Sequence, residues 1–467
     1  MRRKYAKWTA LVSAVVLFLT GCSGATDLSG ESENVLTPVD SCHISGDFAY
    51  EDEGTTDKIV ATYQSADGLC VIQEMEHYHD VTLDYEKGTA KEVGMAYAET
   101  ILHAFPEYEK VMEPFLYENI VEKFPDIDGK YDVLEERLEG LFSSVPLKYK
   151  EEAEGFAQAL SEGEKGFVPN GEISYEEALL MQIVPDALRG TACSALCLWG
   201  DKTVSGEGIT FRSLEWNLGS SNQMCMFHAV VRMKNGENSI TSISVLGLLD
   251  IFSAINDDGV FAAILDVGCG EPYTYEGKKC YTYELRYALE NFDNAKDVGM
   301  YMVENSADFT WCNNIVITDA KSRYCAENAV SQVQDSGRAF SVLRGVDTPL
   351  LEGLQWDNKD SFCVVNSFAS AGNMDGFRGS NSNMVRFAKY NKWTSSLDKF
   401  SAADVKDTVT QEKARQVALG DVYSSGRAVT VYQQIIVDYS TDRVQVAFTG
   451  ADGLSDKPIF TDIGGWN

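Results

Sequence analysis

The residues predict an α/β fold: a four-layer αββα sandwich behind a helix-rich leading segment. Three observations carry that expectation. From Cys193 onward the chain is crowded with short apolar or alternating runs, the signature of strands. Helical periodicity interrupts those runs as a pair, at Thr282–Glu290 and Ala295–Asn305, before strands resume. The half of the chain before Cys193 carries its apolar residues mostly at helical spacing. Strands, a helix pair and further strands are the order of two antiparallel sheets held between helical layers.

Taken in order, His43–Ala49, Lys58–Tyr63 and Leu69–Glu74 read as strands. Val93, Ala96, Tyr97, Ile101 and Leu102 then mark a helix, because residues three and four apart share a face. Tyr131–Leu160 is acidic and amphipathic, with Leu134, Leu138, Leu141 and Phe142 on one side, and Tyr175–Gln182 is a further helix. The expected strands after Cys193 are Ser194–Trp199, Ile209–Leu214, Met224–Met233, Ile240–Leu246 and Val260–Asp266. Beyond the helix pair come Asn314–Asp319, Ser322–Ala329, Arg338–Val342 and Phe362–Asn366. Helices near Asn383–Tyr390 and Ala402–Thr408 precede two last strands, Val429–Asp438 and Arg443–Phe448.

The 467 residues are 44% hydrophobic and 11% aromatic, ample for a packed core. Acidic residues outnumber basic ones 71 to 39, a net charge of −32 that argues against nucleic acid as a partner. Residues 1–22 read as a targeting signal. Arg2, Arg3, Lys4 and Lys7 precede a short apolar run, Leu11–Leu19, and then Leu19-Thr20-Gly21-Cys22. That tetrapeptide resembles the bacterial lipobox, which implies lipidation of Cys22 and an extracytoplasmic protein anchored to the cell membrane. An ordinary cleaved signal peptide is the alternative. Residues 23–39, rich in Ser, Gly, Glu and Asp, read as a flexible tether.

Eleven cysteines are many for an exported chain, and one or two disulfides are expected. No Cys-x-x-Cys spacing occurs, and neither a metal nor a cofactor is expected. His77-x-His79 on a strand turns two rings to one face, yet no third ligand accompanies them.

The chemistry concentrates at Gly190-Thr191-Ala192-Cys193-Ser194-Ala195-Leu196-Cys197 and at Phe211-Arg212-Ser213-Leu214-Glu215. A cysteine opens a strand, a turn follows, and the next strand carries Arg212 and Glu215, 19 and 22 residues after Cys193. A thiol becomes a nucleophile as its thiolate, which a nearby cation favours. Residues three apart on a strand face opposite sides, so joint service at one site requires that strand to end or bulge there. Cys197 is the competing nucleophile, and His228 offers a Cys-His pair.

This stretch resembles the start of the catalytic chain in cysteine-type N-terminal nucleophile (Ntn) hydrolases, namely the choloylglycine hydrolase, acid ceramidase and penicillin acyltransferase-like families. The resemblance, covering about Cys193 to Asn391, implies the αββα fold. It also implies self-cleavage of the Ala192–Cys193 bond and attack by Cys193 on a non-peptide amide of a small N-acyl substrate. Residues 40–192 are then a helix-rich pro-segment and 193–467 the catalytic domain. A freed α-amino group, with a pKa of about 7.7–8.0, serves as the base.

The family's pattern further implies that Arg212 approaches the thiolate and Glu215, where Asp is usual, the new amino group. Ala254-Ile255-Asn256-Asp257-Asp258-Gly259 resembles the family turn that places the backbone N–H of Asp266 in the oxyanion hole. Phe362-Cys363-Val364-Val365-Asn366-Ser367 resembles the strand whose Asn, here Asn366, supplies the second donor, with Ser367 replacing His. Arg378 and Arg386 are both available to close the site, and Ser382-x-x-x-Arg386 is the better match. The rival reading is a surface lipoprotein that binds ligands or partners without turnover.

Overall fold

The structure is a computed structural model describing residues 57–126, 129–188, 192–269, 273–373, 381–409, 430–451 and 458–466. All of these lie in one unit, Gly46–Asn467. The expected strand at His43–Ala49, the tether and Cys22 lie outside the described residues. The described chain opens with β1 (Ile59–Gln64), β2 (Cys70–Met75) and β3 (His79–Asp84). Then follow helices α1 (Ala90–Ala104), α2 (Tyr108–Lys123), α3 (Asp132–Phe142), α4 (Leu147–Leu160), α5 (Tyr175–Met181) and α6 (Val184–Ala187). Strands β4 (Ala192–Leu198), β5 (Ile209–Trp216), β6 (His228–Lys234), β7 (Ile240–Val245), β8 (Ser253–Asn256) and β9 (Phe261–Asp266) lead to α7 (Tyr281–Asn291) and α8 (Ala295–Asn305). The remainder is β10 (Asn313–Thr318), β11 (Arg323–Asn328), α9 (Ser331–Asp335), β12 (Val342–Arg344), β13 (Ser361–Val365), α10 (Asn381–Thr394), α11 (Ala402–Val409), β14 (Thr430–Asp438), β15 (Arg443–Phe448) and β16 (Phe460–Gly464).

Two sheets stack face to face. The larger runs β1-β2-β3-β6-β7-β8-β9-β10-β11-β12 and the smaller β13-β4-β5-β14-β15-β16. Period-2 alternation assigns the faces of the smaller sheet. Cys193, Ala195, Cys197, Leu214, Phe362 and Val364 join the main core between the sheets. Leu196, Leu198, Phe211, Cys363 and Val365 pack on the other side with Phe387, Tyr390 and Trp393 of α10. Helices α1, α7 and α8 cover the larger sheet. The layer order is therefore helices, sheet, sheet, helix, as expected.

One pairing departs from the antiparallel expectation. β3 lies parallel to β6, with Val81 beside Val231. Through it the residues before Cys193 enter the larger sheet. Residues 57–188 thus share a sheet and a core with the chain after Cys193, rather than forming a layer of their own. Buried polar contacts cross the same divide. Arg286 of α7 meets Glu152 of α4 at 2.6 Å and Glu290 at 3.0 Å, all within the core. Gln182 bonds Gly247 O and Leu249 N at 2.8 and 2.9 Å.

Local chemistry accounts for the helices. Thr89 accepts from Glu92 N while the Glu92 carboxylate accepts from Thr89 N, a capping box that starts α1; Ser174 and Glu177 start α5 in the same way. The acidic run Tyr131–Leu160 is two helices, α3 and α4, because Pro146 sits between them as the α4 N-cap. α1 and α4 cross with their backbones touching. A Cβ on Gly94 would stand 2.1 Å from Glu152 O, and one on Gly155 2.3 Å from Lys91 O. The strand expected at Arg338–Val342 begins only at Val342, where pairing with β11 starts.

Candidate active site

Pairing of β4 with β5 in regular register sets Cys193 opposite Leu214 and Ala192 opposite Glu215. The register is unbroken, so β5 needs no bulge, and Arg212 and Glu215 do leave on opposite faces. Arg212 points between the sheets. Its Nη2 donates to Cys193 Sγ at 3.3 Å and to Ile264 O of β9 at 3.2 Å. Arg212 is wholly buried, and its Nε and Nη1 have no hydrogen-bond partner among the described residues. Burial pulls its pKa down, opposed by Cys193 and Glu215.

Glu215 points the other way, to the helix layer. There its Oε2 accepts from Arg386 Nη2 at 3.1 Å. Burial raises the Glu215 carboxyl, while Arg386, Ser213 and Arg212 hold it down. Arg386 reaches three further acceptors. Nη2 also donates to Cys193 O, and Nη1 donates to Asn366 Oδ1 and Asn383 Oδ1, each at 3.1 Å. The contact found for Glu215 is therefore with Arg386, which in turn holds the Cys193 carbonyl. Two buried guanidinium groups thus flank Cys193, Arg212 at its thiol and Arg386 at its carbonyl.

Asn366 follows the last residue of β13, where Val365 pairs with Ser194. Its carboxamide takes the next rung of the ladder. Oδ1 accepts from Cys193 N at 2.8 Å and from Arg386 Nη1, and Nδ2 donates to Asp266 O at 2.7 Å. Exchanging the carboxamide's O and N would set an NH₂ against two donors and an oxygen against a carbonyl, so this orientation is fixed. One Nδ2 hydrogen meets Asp266 O, and the second has no acceptor among the described residues. Asp266 closes β9. Val267 N bonds Cys312 O at 3.1 Å, so Asp266 and Asn313 form the alternate, non-bonded rung. The main-chain groups of Asp266 consequently point away from β10.

Cys193, Arg212, Asp266, Asn366, Arg386 and, through Arg386, Glu215 thus converge on one point. Arg378 lies outside the described residues. Sequence reasoning missed Asn383 and Asn314, which hold the Asn366 corner. Asn383 sits one helical turn before Arg386 on α10, a spacing that was the available signal. Asn314 lies on the opposite sheet, and nothing local marks it.

The alternatives fare differently. Cys197 is buried in the core, which pushes its thiol up to about 11. His228 stacks on Tyr432, bonds Thr449 O at 2.8 Å and is driven down to about 3 by burial. It is a neutral core residue with its polar contacts away from Cys193. His77 and His79 do not act as a pair. His79 is buried beside Met226 O, whereas His77 lies 3.0 Å from Asp57 at the surface, with Glu76 near. Of the cysteines expected to form disulfides, Cys70, Cys197, Cys280, Cys325 and Cys363 are buried free thiols. No helix among the described residues is long and apolar enough to cross a membrane.

No family model matches this chain, and no curated protein is similar to it in sequence. Solved structures do resemble it. An N-acylethanolamine-hydrolyzing acid amidase ortholog of Caenorhabditis elegans is 9% identical with a TM-score of 0.36, over 52% of this chain and 92% of that one. A mutant conjugated bile acid hydrolase of Clostridium perfringens is 11% identical with a TM-score of 0.35, over 58% of this chain and 92% of its own. A second variant of that hydrolase is 10% identical with a TM-score of 0.33, over the same 58% and 92%.

Proposed function

We propose that this protein is a cysteine Ntn amidohydrolase, activated by cutting its own Ala192–Cys193 bond and acting on a small N-acyl amide. The observation that carries the reading is the 3.3 Å contact of Arg212 Nη2 with Cys193 Sγ, made while Asn366 Oδ1 holds the Cys193 N–H at 2.8 Å. A thiol, its cation and a grip on the scissile nitrogen are what an N-to-S acyl shift requires. Sγ attacks the Ala192 carbonyl carbon, the C–N bond breaks, and the Cys193 nitrogen leaves with the thiol's proton. Water then hydrolyses the thioester, leaving a carboxylate on Ala192 and a free thiol and α-amino group on Cys193.

In the mature enzyme that amine takes the thiol proton and Sγ adds to the substrate carbonyl. The second hydrogen of Asn366 Nδ2 and the Asp266 N–H stabilise the oxyanion, a donor pair worth about 10²–10³ in rate per member. Collapse releases the substrate's amine with the proton from the ammonium, and water clears the acyl thioester. The chain does this outside the cytoplasm, held to the membrane by lipid on Cys22. Cys193→Ala tests the reading. A variant that stays one chain and hydrolyses no N-acyl amide supports it, and one that is still cut rules out self-processing.

A further inference from the structure

We propose that Asn314 and Asn383 are positioning residues that hold the Asn366 carboxamide in its working orientation. The proposal rests on reading Asn366 as an oxyanion donor. The evidence is an unusual accounting of carbonyls. The β13 ladder ends at Val365, and the chain bends sharply, with Ser367 N bonding Val365 O at 2.8 Å. β13 is an edge strand whose Val365 carbonyl already points away from β4. The bend takes the Asn366 and Ser367 carbonyls out of the ladder, and buried carbonyls demand donors.

Two carboxamides from opposite layers supply all three. Asn314, from β10 of the larger sheet, donates both Nδ2 hydrogens, to Val365 O and to Ser367 O, each at 2.9 Å. Asn383, from α10 on the far side, donates to Asn366 O at 2.9 Å and to Ser367 Oγ at 2.7 Å. Both side chains are buried. The pair therefore grips residues 365, 366 and 367 from between the sheets and from the helix layer at once.

Asn383 has a second task. Its Oδ1 accepts from Arg386 Nη1, the nitrogen that also donates to Asn366 Oδ1. One residue thus sets the main chain of Asn366 and aims the guanidinium that fixes its side chain. No other common side chain of this size both donates twice and accepts. An aspartate in its place keeps the shape and loses both donors.

Asn383→Asp is the test, because Asn314 lies so deep that its variants are liable not to fold. Structure and kinetics decide it. In the full chain carrying Cys193→Ala, a crystal structure of Asn383→Asp should show the Asn366 carboxamide moved off the residue 193 N–H and the Asp266 carbonyl. An Asn366 that keeps both contacts overturns the proposal, whatever the activity. In the otherwise unaltered chain, turnover of an N-acyl amide should fall about 10²-fold. Alkylation of Cys193 by iodoacetamide, governed by Arg212, should hold its rate in Asn383→Leu, which removes the same donors without adding a charge beside Arg386. Asn383→Ser should recover part of the loss of turnover. A parallel fall in alkylation and melting temperature means a merely structural role and overturns the proposal. Absence of turnover in the parent protein instead sinks the functional reading, and the crystal structure still decides the clamp.

Discussion

Arg212 and Glu215 leave one strand on opposite faces, yet both end at Cys193. Arg212 meets the thiol directly at 3.3 Å, and Glu215 reaches the same residue's carbonyl through Arg386. A spacing of three on a strand enforces that division. The inner residue governs the charge of the nucleophile, and the outer one anchors the guanidinium that holds its backbone.

Removing the inner cation should therefore raise the thiol's pKa. The pH profile of Cys193 alkylation in the wild-type protein is the reference. Arg212→Met should move it upward by about one unit or more, and Arg212→Lys by less. Superimposable profiles for all three would remove Arg212 from the chemistry.

Glu215 and Arg386 form a buried pair, and breaking one partner of such a pair costs about 3–5 kcal/mol. Glu215→Leu alone should lower the melting temperature and stop processing. Glu215→Leu combined with Arg386→Met should recover stability without recovering processing or turnover. Recovery of both together would reduce the pair to a structural element.

Residues 57–188 should stay bound after any cut before Cys193. The β3–β6 pairing and the Arg286–Glu152 contact both cross that point. The two fragments are expected to co-elute on size exclusion under reducing conditions and to separate only in denaturant. Release of the smaller fragment in plain buffer would contradict the shared sheet.

Stability should fall as pH rises through the weakly acidic range. Asp186 is wholly buried and pushed up to about 7, and burial beside Asp186 raises Asp250 well above the usual carboxylate range. Neither Asp250 oxygen has a hydrogen-bond partner among the described residues. A carboxyl whose folded pKa exceeds its unfolded value of about 3.9 favours the fold below that value, and the advantage is lost as pH climbs to the folded pKa. Each pH unit between the two is worth about 1.4 kcal/mol. Asp250→Asn should flatten the decline in melting temperature between about pH 4 and 7 and raise it at neutral pH. An unchanged slope would mean the carboxyl is solvated or paired.

Much of this was legible beforehand, and the limits have physical causes. Short apolar or alternating runs marked β4, β5, β9 and β13, strands buried on both faces because each sheet lies between the inter-sheet core and a helix layer. The helix pair α7 and α8 stood out through the helical periodicity of its apolar residues. α2 escaped notice because its buried residues, from Tyr108 and Met112 to Leu116, Tyr117 and Ile120, occupy several sides and leave no stripe. The parallel β3–β6 pairing joins residues distant in sequence, a choice that local pattern cannot encode. Asn366 and Arg386 were reachable from motifs, whereas Asn314 gains its place only once two sheets are stacked.

Intact mass with N-terminal sequencing of the purified protein tests the central claim most directly. The account predicts a chain beginning at Cys193 together with a separate fragment ending at Ala192. A single uncut chain that nevertheless hydrolyses amides would contradict it.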